Sequence, residues 1–177
     1  MATKIKLEGT LNGDKVICTK TRVKDALANK NFGEKYDDYT VLDVYETLYL
    51  METRNLTVYY KNTELPKNGI VQKILEETEN EYLMHKYQVF KEIRDKGYII
   101  KTGLKFGFDF RVYPKGKKID EAHTEFVVSV IPQDRLMKNE DIARSVRMAS
   151  GLHAKAVFAI VDNELETTYY SADRFKL

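Results

Sequence analysis

The chain has 177 residues, 43% of them hydrophobic and 32% charged, with a formal net charge of +2. This composition suits a globular protein with one good-sized core or two small ones, and it excludes disordered and collagen-like chains. No apolar run approaches the roughly 18 residues of a membrane span. Cys18 is the only cysteine, so no internal disulfide forms, and a cytoplasmic protein without membrane contact is expected. The near-neutral balance neither demands nor excludes nucleic acid, so any basic footprint has to be local.

MATKIKLEG enters an alternating pattern directly, with no signal-peptide core. Residues 4–20 alternate around Asn12-Gly13 and predict a β-hairpin. The polar stretch 21–39 has no clean period and reads as irregular. Thr40 is expected to cap a helix, with Asp43 as its capping-box-like partner. Val41, Val44, Tyr45, Leu48 and Tyr49 follow at helical spacing. Leu56, Val58 and Tyr60 alternate as a strand, and 61–69, with Pro66 and Gly69, reads as a loop.

Between Ile70 and Lys96 the apolar residues repeat at helical spacing, as one long helix or two abutting ones. The polar TENE at 78–81 is the expected break. It also suggests a division into an N-terminal domain, 1–82, and a C-terminal domain, 83–177. Gly97 stands where a left-handed cap residue ends a helix. Strands are expected near 98–101 and 108–113, with Gly103 and Gly107 in the turn between them. The β-branched run Thr124–Ile131 predicts a buried strand. Asn139 is expected to cap a helix that carries Glu140 and Asp141 in its first turn and ends at Gly151. Ala156–Val161 reads as another buried strand, and Leu165–Tyr170 as the last. Together these make a mixed α/β protein of α+β character: a small α/β N-terminal domain, then a mixed β-sheet flanked by helices.

The C-terminal pattern brings three side chains to one rim. If strands 108–113 and 124–131 pair as neighbours they are antiparallel, so Tyr113 and His123 share an edge. Strand 124–131, helix 140–150 and strand 156–161 form a β-α-β unit, whose strands are parallel. Both begin at one edge, which places Lys155 near His123. A phenol, an imidazole and an ammonium suit metal-free RNA cleavage by the neighbouring 2′-hydroxyl. That reaction needs a base for the hydroxyl, an acid for the leaving 5′-oxygen and a cation for the phosphorane. Histidine titrates near neutrality and serves as the acid, and lysine supplies the charge. A phenol ordinarily titrates near pH 10, so as a base it needs cations such as Lys115, Lys117 or Lys155 close by. Its other use is to orient the 2′-hydroxyl. Taken singly, each residue also fits ordinary packing or a solvated edge.

Ile93-Arg94, Gly97-Tyr98, Thr102-Gly103, Lys105-Phe106-Gly107 and Asp109 to Tyr113 run in an order that resembles the catalytic domain of the archaeal tRNA-splicing endonucleases. His123-Thr124 resembles that family's histidine motif, and Lys155 before AVFAIVD its lysine. YETLYL at 45–50 is similar to its N-terminal domain. The resemblance implies Tyr113 as general base, His123 as general acid and Lys155 as transition-state stabiliser, with no metal and no cofactor. It implies a lyase-type endoribonuclease that excises introns from precursor tRNA at bulge-helix-bulge junctions, leaving 2′,3′-cyclic phosphate and 5′-hydroxyl ends. By the same resemblance the chain assembles as a homotetramer. Arg147 and Arg174 are candidates to pinch a bulged base, and Lys115 and Lys117 are further RNA-binding candidates. The last strand is a candidate for pairing across a subunit interface. The loop 132–141, with Asp134, Glu140 and Asp141, is a candidate acidic contact.

Two rivals remain at this level. A metal-dependent nuclease would use Asp109 and Glu125 as carboxylate ligands, but Val127 stands where its lysine is needed. The other is a non-catalytic structural or RNA-binding subunit of a heteromeric endonuclease, which has no chemical need for Tyr113, His123 and Lys155 together.

Overall fold

The computed structural model describes residues 5–78, 80, 82–103 and 107–175. Lys4 of the predicted hairpin, Glu79 and Glu81 of the predicted break, and Lys105 and Phe106 of the turn motif lie outside them. The chain divides into two compact units, Met1–Leu83 and Met84–Leu177.

The first unit is a six-stranded sheet with helices. Its strands are β1 (Glu8–Asn12), β2 (Lys15–Cys18), β3 (Glu34–Lys35), β4 (Thr40–Leu42), β5 (Thr57–Tyr60) and β6 (Thr63–Leu65), in the spatial order β3-β4-β2-β1-β5-β6. The β1–β2 hairpin forms as expected, although strand structure begins only at Glu8. β1 and β5 are parallel, and the other neighbours are antiparallel.

Three expectations for this unit are corrected. Residues 21–39 are not irregular throughout, because α1 (Thr21–Ala28) forms and buries Val23 and Leu27, four apart on one face. Thr40 is not a helix cap; it opens β4 opposite Cys18 and Lys35. The cap of α2 (Val44–Arg54) is Asp43, whose Oδ1 accepts from the Glu46 N–H at 2.8 Å, while Glu46 Oε2 accepts from the Asp43 N–H. The capping box is real but starts three residues later, since Thr40–Leu42 alternate toward a sheet partner. Nor is 61–69 only a loop. Lys61 and Asn62, both at positive φ, turn β5 into β6, and α3 (Lys67–Glu77) starts directly after Pro66. Leu42, Leu48, Leu50, Val58, Ile70 and Ile74 fill the core of this unit.

The second unit begins with α4 (Leu83–Asp95), so the 70–96 pattern is two helices broken near 78–81. Gly97, at φ +89°, ends α4 in the left-handed region where a side chain is strained. A five-stranded sheet follows in the order β11-β10-β9-β8-β7. Its strands are β7 (Ile99–Thr102), β8 (Phe110–Tyr113), β9 (Phe126–Pro132), β10 (Lys155–Val161) and β11 (Thr167–Ala172). α5 (Asn139–Gly151) crosses from β9 to β10, which are parallel; the other neighbours are antiparallel. Lys138, not Asn139, occupies the cap position of α5, and no side chain caps it. The last strand lies two residues later than expected, because Leu165 sits at positive φ in the turn after Asp162.

Each face of this sheet is covered by a different helix. Phe90 of α4 packs on Phe110, ring centroids 6.0 Å apart, and the Tyr169 hydroxyl donates to Glu92 at 2.8 Å. Burial first, and then the Glu92 carboxylate, push the Tyr169 phenol well above its ordinary value. On the other face Ala149 of α5 joins Phe108, Val127 and Ala156, with Val146, Met148 and Leu152 packed against them. Among the described residues no helix is long and apolar enough to cross a membrane.

Candidate active site

Backbone pairing builds the rim. β8 and β9 are antiparallel with Val112 opposite Phe126, and β9 and β10 are parallel with Lys155 opposite the same Phe126. The residue before it, Glu125, ties the three strands together. Its N–H donates to the Val112 carbonyl at 2.8 Å, and its carbonyl accepts from the Lys155 N–H at 3.2 Å. Tyr113 is the last residue of β8 and Lys155 the first of β10. His123 lies in the segment leading into β9, just ahead of Glu125. Neighbouring strands are about 4.8 Å apart, so the backbones of Val112 and Lys155 are separated by about 10 Å across Phe126.

Exposure and direction differ among the three. The Tyr113 ring is buried, at 7% exposure, whereas His123 and Lys155 are exposed. Side chains alternate along a strand, so Tyr113 shares the α5 face with Arg111 and Val127, while Lys155 shares the α4 face with Val112 and Phe126. A ligand that touches all three therefore lies over the strand ends, not flat on one face.

The surrounding cations fall at the same end. The Nζ of Lys115 lies 4.6 Å from the centre of the Tyr98 ring, and Tyr98 meets Phe126 edge-on at 5.5 Å. That contact pins the start of the loop carrying exposed Lys117 to the rim. The C-terminal half of α5, with exposed Arg147, descends toward Lys155. Ala172 of β11 pairs with Ala156, so exposed Arg174 follows at the Lys155 end of the sheet. Spacing did not single out Arg111, whose guanidinium carbon is 5.8 Å from the centre of the Tyr113 ring. Its signal was available in the i, i+2 alternation of FRVY, which places the two side chains on one face.

The carboxylates of the metal-dependent rival do not meet. Asp109 Oδ1 is 2.9 Å from Lys86 Nζ, and Oδ2 accepts from the Val130 N–H at 2.7 Å. Asp109 lies four residues from Tyr113, about 13 Å along the strand, whereas Glu125 is at the rim. Among the described residues no group of three or more His, Cys, Asp or Glu is placed to hold a metal ion.

Comparison with known proteins bears on this arrangement directly. A family profile described as tRNA intron endonuclease, catalytic C-terminal domain, matches residues 83–169, and the corresponding N-terminal domain profile matches 7–70. The chain belongs to the tRNA intron endonuclease family. It is 35% identical to a tRNA-splicing endonuclease of Thermococcus kodakarensis, over 94% of this chain and 96% of that protein. It is 33% identical to a tRNA-splicing endonuclease of Methanothermobacter thermautotrophicus, over 96% of this chain and 98% of that protein. The catalytic-domain match of the endonuclease family takes in α4, β7 to β10 and the first half of β11, including Tyr113, His123 and Lys155.

Proposed function

We propose that this protein is a tRNA-splicing endonuclease, with an N-terminal domain over 1–82 and a catalytic domain over 83–177. It excises introns from precursor tRNA at bulge-helix-bulge junctions by metal-independent attack of a 2′-hydroxyl. The observation that carries this reading is the Glu125 backbone bridge, which holds the end of β8 and the start of β10 on either side of the segment after His123.

In this reading the Tyr113 oxygen takes the proton from the 2′-hydroxyl, and the freed oxygen attacks the adjacent phosphorus. Lys155 sits beside the two phosphoryl oxygens on which negative charge grows. The bond to the 5′-oxygen breaks as His123 delivers a proton to it. The products are a 2′,3′-cyclic phosphate and a 5′-hydroxyl. Exposed His123 and Lys155 leave room for a bulky RNA, whereas Tyr113 is buried and offers it little surface. Arg147, Arg174, Lys115 and Lys117 serve as phosphate or bulge contacts around the rim.

The test is incubation of the purified protein with a bulge-helix-bulge RNA in EDTA, followed by end-group analysis. Cleavage with cyclic-phosphate and 5′-hydroxyl ends is expected. Loss of cleavage in EDTA, or products with 3′-hydroxyl ends, would overturn the mechanism.

A further inference from the structure

Arg111 occupies an unusual place for a guanidinium. It lies in the middle of β8, in register with Lys101 on one side and Val127 on the other, and its Nε is shielded from solvent. The residue as a whole is only half-buried, so its Nε lies inside the packed sheet while part of the residue stays in water. Its neighbour along the same face is Tyr113, and the guanidinium carbon stands 5.8 Å from the centre of that ring. This is within the range in which a cation is attracted to the face of an aromatic ring.

We infer that Arg111 is a positioning residue for Tyr113, setting the plane of its ring so that the phenolic oxygen meets the 2′-hydroxyl of the RNA. The inference rests on the reading of Tyr113 as the group that acts on that hydroxyl. Three observations support it. Tyr113 closes β8, so regular strand pairing constrains its backbone on one side only. Its ring is buried, at 7% exposure, so a held ring fixes where the oxygen emerges. Arg111 is anchored in the ladder on both sides, opposite Lys101 and Val127, so its backbone has a fixed place beside the ring. A misplacement of about an ångström at a reacting group is enough to cost roughly a hundredfold in rate. Arg111 does not have to touch RNA to matter.

The test is a double-mutant cycle read by single-turnover cleavage at saturating enzyme, with RNA affinity measured in parallel. R111M keeps the stem and removes the guanidinium; it is expected to slow cleavage about tenfold or more while RNA affinity changes less than about twofold. In the Tyr113→Phe background, with no hydroxyl left to aim, the same substitution is expected to change the rate less than about twofold. Independent, multiplying effects of R111M and Tyr113→Phe would overturn the inference, as would a wild-type rate for R111M. A wild-type rate for Tyr113→Phe alone would instead overturn the reading of Tyr113 on which the inference rests. R111K, which keeps the charge in the ladder but not the flat guanidinium, runs through the same cycle should R111M fail to fold.

Discussion

His123 and Tyr113 differ in how much of each side chain the fold has committed to packing. His123 is exposed in the segment ahead of β9, so its removal leaves packing intact. His123→Ala is expected to cut single-turnover cleavage by about a hundredfold or more, as loss of a general acid does, with RNA affinity little changed. If affinity falls in step with rate, the proton-transfer role is wrong. The Tyr113 ring is part of the core, so only Tyr113→Phe isolates its hydroxyl. That variant is expected to melt like the wild type and cleave more slowly; an unchanged rate would leave the ring with packing alone. Neither experiment needs a partner chain to be identified first.

In the N-terminal unit one carboxylate ties α2 to the segment ahead of β3. Glu46 is 2% exposed, accepts from the Gly33 N–H at 3.0 and 3.1 Å, and completes the capping box of α2. Gly33 itself, at φ +74°, leaves no room for a Cβ, which would stand 2.4 Å from Thr40 Cγ2. Glu46→Ala removes the reciprocal half of the capping box and the carboxylate that accepts from the Gly33 N–H, so a loss of about 2–4 kcal/mol is expected in urea unfolding. A loss below about half a kcal/mol would show that water replaces the carboxylate at no cost. On β2, burial and then the nearby Glu8 push the Cys18 thiol up to about 12. A thiol raised this far stays protonated at pH 8, and only the thiolate reacts readily. Cys18 is therefore expected to resist alkylation in the folded protein and to label rapidly in denaturant; rapid labelling of the native state would mean β2 opens locally.

At the scale of the whole molecule, β11 is one of the two edge strands of the catalytic sheet, and Tyr170 and Phe175 on and beyond it are 58% and 85% exposed. Leu136, on the loop between β9 and α5 that also carries Asp134, is 95% exposed. An unpaired edge with apolar side chains beside it is a site that proteins normally cover. The homotetramer implied by the resemblance would cover such surfaces. It predicts that the purified chain sizes near four 20.6-kDa subunits and cleaves without any added protein. A monomeric species, or cleavage that needs a second kind of subunit, would sink that prediction.

Much of the fold was legible because it depends on local period. The β1–β2 turn at Asn12-Gly13, the β-branched run of β9, the end of α4 at Gly97 and the β-α-β crossover are all written in neighbouring residues. The family was legible in the GYIIKTGLKFGFDFRVY run. α1, β3 and β6 were not, because each is short and polar, with too few apolar positions to show a period. The cap of α2 was misplaced because Thr40 and Asp43 are equally good caps in isolation, and only pairing of Thr40 with Cys18 decides between them. At the site, topology and sequence together put Tyr113, His123 and Lys155 at one edge. Only the tertiary structure decided that Tyr113 and Lys155 issue from opposite faces, and that Arg111 stands over the Tyr113 ring. Sequence order carries the period of side chains along a strand, but the register between strands sets which faces meet, and register forms only when the sheet does.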